Sequence, residues 1–301
     1  MSAVSATERD AAWPALPLDA WAETYHTLHM WLQIVGKIRL GLTPLLNHWW
    51  NSTLYVTSRG LTTSPIPWGG GAFELRFDFI AHRLELLTSS GRVKELALRA
   101  QPVCAFYAEL MSALESEGIA LTINTKPQEV ADPIRFEDDD VHRSYDPEYV
   151  HRMWRILLST KQVFEEFRAR FIGKASPVHF FWGSLDLAYT RFSGRRAPPR
   201  NGVISAEAYS HECSSVGWWP GSGDVTGPAF YSYTVPEPAG FAASRVLPAR
   251  AFYQPTLHEF VLMYDDVRVA AAPAQDLLAF CQSAYSAGAE LAGWDRKSLE
   301  R

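Results

Sequence analysis

The sequence predicts an α+β fold made of two pseudo-equivalent α-β4-α halves, an internal duplication packed around a shared cleft. Three observations carry this expectation. Each half runs in the same order: long helix, four strands, amphipathic helix. Aromatic strings recur at matching places, His29-Met30-Trp31 with His151-Arg152-Met153-Trp154 and Pro44-x-x-x-His48-Trp49-Trp50 with Pro177-x-His179-Phe180-Phe181-Trp182. Pro102 and Pro273 each open a closing helix, where proline is tolerated. A repeated order with recurring strings reads as duplication, against chance likeness between aromatic-rich segments. The boundaries that follow are 13–125 for the first half, 126–146 for an acidic linker and 147–295 for the second half.

Residues 1–12 read as a loose polar tail. Residues 18–40 read as a long helix with Asp19 as its N-cap and Gly41 and Pro44 beyond its end. Residues 47–59, rich in Trp, Thr, Tyr and Val, read as a strand. The turn-rich Ser64-Pro65-Ile66-Pro67-Trp68-Gly69-Gly70-Gly71 follows. Phe73-Glu74-Leu75-Arg76-Phe77-Asp78-Phe79 alternates as a half-buried strand does. Strands are expected at 82–88 and 93–98, joined by Ser89-Ser90-Gly91. Residues 102–117 place Val103, Phe106, Tyr107, Leu110, Met111 and Leu114 on one helical face. A short strand is expected at 119–124.

The acidic run Glu137-Asp138-Asp139-Asp140 marks 126–146 as a surface excursion. The second half opens with a helix at 147–172, then a strand or bent hairpin at 177–192 and a basic loop at 195–200. A strand at 207–214, a loop at 217–227 and strands at 230–235 and 257–264 follow, and a helix at 273–292 closes it.

Composition narrows the function. Of 301 residues, 47% are hydrophobic and the formal net charge is only −5, which excludes wholesale disorder and a general nucleic-acid binder. Cys104, Cys213 and Cys281 are odd in number and far apart, so a disulfide scaffold or a C-x-x-C metal motif is excluded and a cytoplasmic location is expected. No apolar run reaches the length of a membrane span, and the first ten residues lack the charge and apolar stretch of a signal peptide.

The first helix is the most informative element. Trp21, Tyr25, Leu28, Leu32 and Val35 form one apolar row, and Trp31, Ile34 and Ile38 form another, so burial on more than one side is expected. Between them His29, Gln33 and Lys37 follow at i, i+4 and i+8 on one line. That line faces either bulk solvent or an interior cleft, onto a ligand or carboxylates. Asp186 sits mid-strand among apolar neighbours, either as half of an ion pair or as a base. His211 and Glu212 are adjacent, so on a strand they point to opposite faces.

The strings Thr27-Leu28-His29-Met30-Trp31-x-Gln33-Ile34-Val35-Gly36-Lys37-Ile38-Arg39-Leu40, Tyr55-Val56-Thr57-Ser58-Arg59-Gly60-Leu61, Pro177-Val178-His179-Phe180-Phe181-Trp182-Gly183-Ser184-Leu185-Asp186 and Tyr209-Ser210-His211-Glu212 resemble a bacterial family of unknown function, number 5996. The resemblance runs from the first helix to about Trp294. It implies a bacterial protein and carries no activity, cofactor or site residue.

The functional expectation therefore rests on the residues. It is a cytoplasmic enzyme acting on a small aromatic or anionic substrate in an interior cleft. The alternative is a non-catalytic protein that binds a small molecule in the same cleft. His29, His211 and Asp186 are the candidate catalytic groups. Gln33, Lys37, Arg39, Arg59, Trp50, Trp182 and Tyr209 are the candidate substrate contacts, the cations holding negative charge and the indoles walling the pocket. A divalent metal is a candidate cofactor, with His48, His179, His211 and Glu212 as its candidate ligands, and Asp186 or Glu259 able to join them. The expected partner is a small-molecule ligand, with neither nucleic acid nor membrane.

Overall fold

The computed structural model describes residues 10–301 apart from Asp224. Most of the expected polar tail, and one residue of the expected 217–227 loop, lie outside the described residues. From residue 10 the chain is already tied down. Ala11 and Ala12 carbonyls accept from Arg155 Nε and Ser159 Oγ, and Trp13 is buried.

The first helix, α1 (Leu18–Leu42), is buried without a break from Thr27 to Arg39. Two apolar rows on one helix leave no side that favours water, so enclosure is the outcome the pattern demands. Its N-cap position is Pro17, without a side-chain cap, in place of the expected Asp19. A 3-10 segment (Asn47–Ser52) follows, in which His48 and Trp49 adopt left-handed backbone angles (φ 58° and 60°). The strand expected at 47–59 is therefore confined to β1 (Thr53–Val56).

Then come β2 (Gly60–Thr62), β3 (Ile66–Trp68), β4 (Gly71–Asp78), β5 (Arg83–Thr88), β6 (Val93–Ala97) and α2 (Val103–Ser116). The strand expected at 119–124 does not form. Residues 126–146 hold no helix or strand, yet they pack. Phe136 and Asp139 are fully buried, and the carbonyls of Asp139 and His142 accept from the first amides of α2.

The second half comprises α3 (Pro147–Ala169), β7 (His179–Phe181), β8 (Asp186–Arg196), α4 (Val203–Ala208), β9 (His211–Trp219), β10 (Ala229–Val235), β11 (Phe252–Gln254), β12 (Glu259–Met263), α5 (Tyr264–Arg268), α6 (Pro273–Leu291) and α7 (Arg296–Leu299). Asp146 caps α3 by accepting from the Glu148 and Tyr149 amides. The expected strand at 207–214 is displaced, since α4 runs to Ala208 and β9 continues through Trp219. Gly217 opens the stretch expected as a loop. It is a strand residue whose missing side chain makes room for Tyr231, because a Cβ there would lie 2.2 Å from that ring.

The twelve strands among the described residues form one antiparallel sheet, ordered β11-β12-β10-β9-β8-β7-β1-β2-β4-β5-β6, with β3 on β4. Six strands thus stand where four were expected in each half. The two sets do not press face to face. They join edge to edge through β1 and β7, with Thr53 opposite Phe181 and Leu54 opposite Phe180. The main hydrophobic core runs from Trp13 to Trp294, with two small clusters beside it at Phe192, Cys213 and Val235 and at Val225, Ala229 and Val261.

Side chains alternate across β8. Leu187, Tyr189 and Arg191 face α3 and α6, where the Arg191 guanidinium lies 3.5 Å from the Phe167 ring centre and 4.3 Å from that of Tyr285. On β10, Thr234 meets α6 at Gly288. The opposite face of β8–β10 is free of helices α3 and α6. Among the described residues no helix is long and apolar enough to cross a membrane.

Candidate functional site

The free face of β8, β9, β10 and β12 is the floor of a cavity of about 680 Å³. Asp186, Ala188, Thr190 and Phe192 reach it from β8 by the period of two, and Tyr231 and Tyr233 reach it from β10. Tyr231 lies across Gly217 of the intervening strand and donates its hydroxyl hydrogen to Asp186 Oδ2 at 2.5 Å. Ser184, in the turn between β7 and β8, donates to Asp186 Oδ1. Both oxygens of a nearly buried carboxyl are thus held by hydroxyl donors.

The roof comes from segments without regular structure. Trp182, Gly183 and Ser184 belong to the β7–β8 turn, and Gln128 and Glu129 to the stretch after α2. Glu129 has φ 56°, and its carboxylate lies against Gly183, where a Cβ would stand 2.7 Å from Oε1. The 3-10 segment supplies the far wall through His48 and Trp50, with the His48 ring stacked 4.5 Å from that of Phe192. From Asp186 to Phe192 the floor extends about 20 Å, six residues of strand.

The polar line on α1 builds this roof and does not line it. Gln33 Nε2 donates to the Gln128 carbonyl at 2.7 Å, and the Gln128 amide donates back to Gln33 Oε1 at 2.9 Å. Lys37 Nζ donates to the Lys126 carbonyl at 2.8 Å. His29 Nε2 lies 2.8 Å from the Gly183 carbonyl and 2.9 Å from Gln33 Nε2. Three buried polar groups are thereby satisfied by main chain, which removes the penalty their burial would carry. Among the described residues of α1, only Leu40 lines the cavity.

Electrostatically the cavity has an acidic end. Burial raises Asp186 above its ordinary value, opposed by the hydrogen bonds from Ser184 and Tyr231. Burial and then the Asp186 charge raise Glu259 to about 7, and the same two causes raise Glu129. Among the described residues no Lys or Arg lines the cavity. Behind the far end, Lys174 donates to His48 Nε2 at 2.8 Å and sits 4.8 Å over the Phe192 ring, and the Arg200 guanidinium lies 4.4 Å over the ring of Tyr209.

Of the residues singled out from sequence, Asp186, Glu259, Trp50, Trp182, Tyr209 and His48 line the cavity together. The others do not. His29 borders a smaller hollow of about 330 Å³ beside His26 and His142, and burial lowers it to about 4, so it stays neutral. Gln33 and Lys37 serve as the clamp just described. Arg39 donates to the Thr63 carbonyl and lies over Tyr55, and Arg59 pairs with Asp78 at 2.7 Å. The cations expected to hold an anionic substrate are therefore committed elsewhere.

The metal candidates also disperse. His179 is enclosed by the rings of Trp50, Tyr55 and Phe181, and burial with the Arg39 and Arg168 charges lowers it to about 3. His211 lies edge-on to His48 and bonds Ser210 Oγ, outside the cavity lining. Glu212 pairs with Arg195 at 2.7 Å. Among the described residues no three His, Cys, Asp or Glu side chains are placed to hold a metal ion.

Sequence reasoning missed Glu129, Tyr231 and Tyr233, and named Glu259 only as a metal ligand. The alternation Tyr231-Ser232-Tyr233 was a readable signal for the two tyrosines. Glu129 had none, because its position follows from tertiary contacts of an irregular segment.

The sequence model of a family of unknown function (DUF5996) matches residues 13–301. No curated protein and no solved structure matches the chain.

Proposed function

With the chain belonging to DUF5996, a family of unknown function, we propose that the protein is an enzyme that acts on a small organic molecule in the cavity over β8–β10, by carboxyl acid–base chemistry. One observation carries this reading. Two carboxyls, Asp186 and Glu259, share a roomy cavity while standing in different environments. Asp186 is locked by two hydroxyl donors, and Glu259 has no hydrogen-bond or ion-pair partner among the described residues and titrates at about 7. A carboxyl poised near neutrality can both give and take a proton, and environments that separate two such groups are how acid and base roles are divided. Asp186 keeps the role expected of it, and Glu259 stands where His211 was expected.

The alternative is a binding protein that uses the same cavity without turnover. Ligand-observed NMR with a library of small organic molecules separates the readings. Hits should bind the native protein and not Ala188→Trp, which fills the floor. Hits that ignore the filled floor would remove the cavity from consideration. A hit that is slowly converted by native protein and not by Glu259→Gln supports the enzyme; hits that stay intact over hours with both proteins support the binder.

The two chain halves, 13–125 and 147–295, also read as copies around a shared cleft. In support, α1 and α3 each precede a junction strand, and from the β1–β7 pair the sheet runs outward through β8, β9 and β10 on one side and through β2, β4, β5 and β6 on the other. The cavity draws residues from both halves, His48 and Trp50 from one and Asp186 and Tyr231 from the other.

A further inference from the structure

The lining of the cavity speaks to the charge of what it takes. Asp186, Glu129 and Glu259 all border it, and among the described residues no Lys or Arg does. Of the cations nearby, Lys37 is held by the Lys126 carbonyl between the rings of Phe136 and Trp182, Lys174 by His48 and Phe192, and Arg200 lies over the ring of Tyr209, away from the carboxyl end. Carboxyls gathered in a partly enclosed space favour an incoming positive charge, because it relieves both their desolvation and their mutual repulsion.

A bare metal ion does not fit this demand, since no three ligating groups among the described residues converge. Aromatic faces do fit an organic cation. Trp219 and Tyr231 stand 5.6 Å apart at 63°, Tyr231 and Tyr233 are stacked at 6.0 Å, and all three line the cavity near the carboxyls. The remaining floor runs toward Phe192 and Trp50 and offers apolar surface along about 20 Å.

Resting on the reading of this cavity as a small-molecule site, we infer that its ligand is an organic ammonium ion with an apolar or aromatic body, its charged head held by Glu259 and Glu129 beside Asp186 and its body laid along Tyr233, Phe192 and Trp50. The aromatic half of the substrate class expected from sequence is retained and the anionic half is replaced.

Three probes of one shape test it by calorimetry at pH 8: 2-phenylethylammonium, 2-phenylethanol and 3-phenylpropionate. The ammonium probe should bind at least tenfold more tightly than the alcohol, and the carboxylate most weakly. Glu259→Gln, and separately Glu129→Gln at the cavity mouth, should each lower the preference for the ammonium probe over the alcohol at least threefold. Glu237→Gln, which lies outside the cavity, should leave it unchanged. Should Glu259→Gln fail to fold, the exposed Glu129 position gives the same reading. Equal binding of all three probes, abolished by Ala188→Trp, overturns the charge inference and leaves the small-molecule site standing. Binding of none, or a preference that survives both Gln variants, also overturns the inference, and the cavity then stands or falls on the library screen.

Discussion

Glu259 and His179 show how single side chains set opposite pH limits. Glu259 titrates at about 7, against an ordinary value of 4.5. Between those values the unfolded chain gives up its proton first, so stability falls as pH rises and the full cost is present above pH 7. Thermal unfolding of Glu259→Gln should match the native protein at pH 4.5 and exceed it by about 2–5 °C at pH 8. Equal melting temperatures at pH 8 would show that Glu259 ionises without penalty. His179 is lowered to about 3 and His29 to about 4, so the unfolded chain takes up their protons first as pH drops below 6.5. Stability should therefore decline from pH 6.5 toward pH 4, and His179→Gln should make that decline shallower. Residue chemistry of this kind was half legible beforehand. Asp186 stood out as a carboxyl in an apolar strand, whereas the near-neutral Glu259 depends on burial and on Asp186, neither of which its own sequence neighbourhood encodes.

Among the elements, α1 and the β7–β8 hairpin depend on one close approach. A Cβ on Gly36 would lie 2.2 Å from Cδ1 of Trp182, whose indole fills that space. Gly36→Ala should destabilise by about 2–3 kcal/mol through overpacking and should loosen the turn that carries Ser184. Gly41, in the last turn of the same helix, meets nothing within 4 Å, so Gly41→Ala should stabilise by about 0.5–1 kcal/mol. Denaturant unfolding of the two variants checks both signs, and the same sign for both would refute the packing argument. Helix positions were legible because apolar periodicity is a local property. Strand limits around Gly217 and His48 were not. A glycine in a strand looks like a turn until the ring that crosses it is known, and left-handed residues at 48 and 49 carry no compositional mark.

For the whole molecule, the decisive feature is the β1–β7 pairing, which makes one sheet and one main core from two sets of strands. Phe180, fully buried at that seam opposite Leu54, belongs to neither side alone. Phe180→Ala should cost about 3–5 kcal/mol. It should lower far-UV circular dichroism and tryptophan fluorescence melts together, in one transition. Two separated transitions would mean that the chain halves unfold independently.

The amino-acid order alone determined that α1 would be enclosed, that Asp186 would share a strand face with Ala188 and Thr190, and that indoles would stand near it. Those properties follow from periods of 3.6 and 2, which a short window of sequence records. Tertiary structure decided what lies opposite each face. It turned the His29–Gln33–Lys37 line onto the main chain of 126–128 and Gly183, and it brought Glu129 and Glu259 to Asp186 from distant parts of the chain. Periodicity states which side chains travel together; only the packed fold states what they meet.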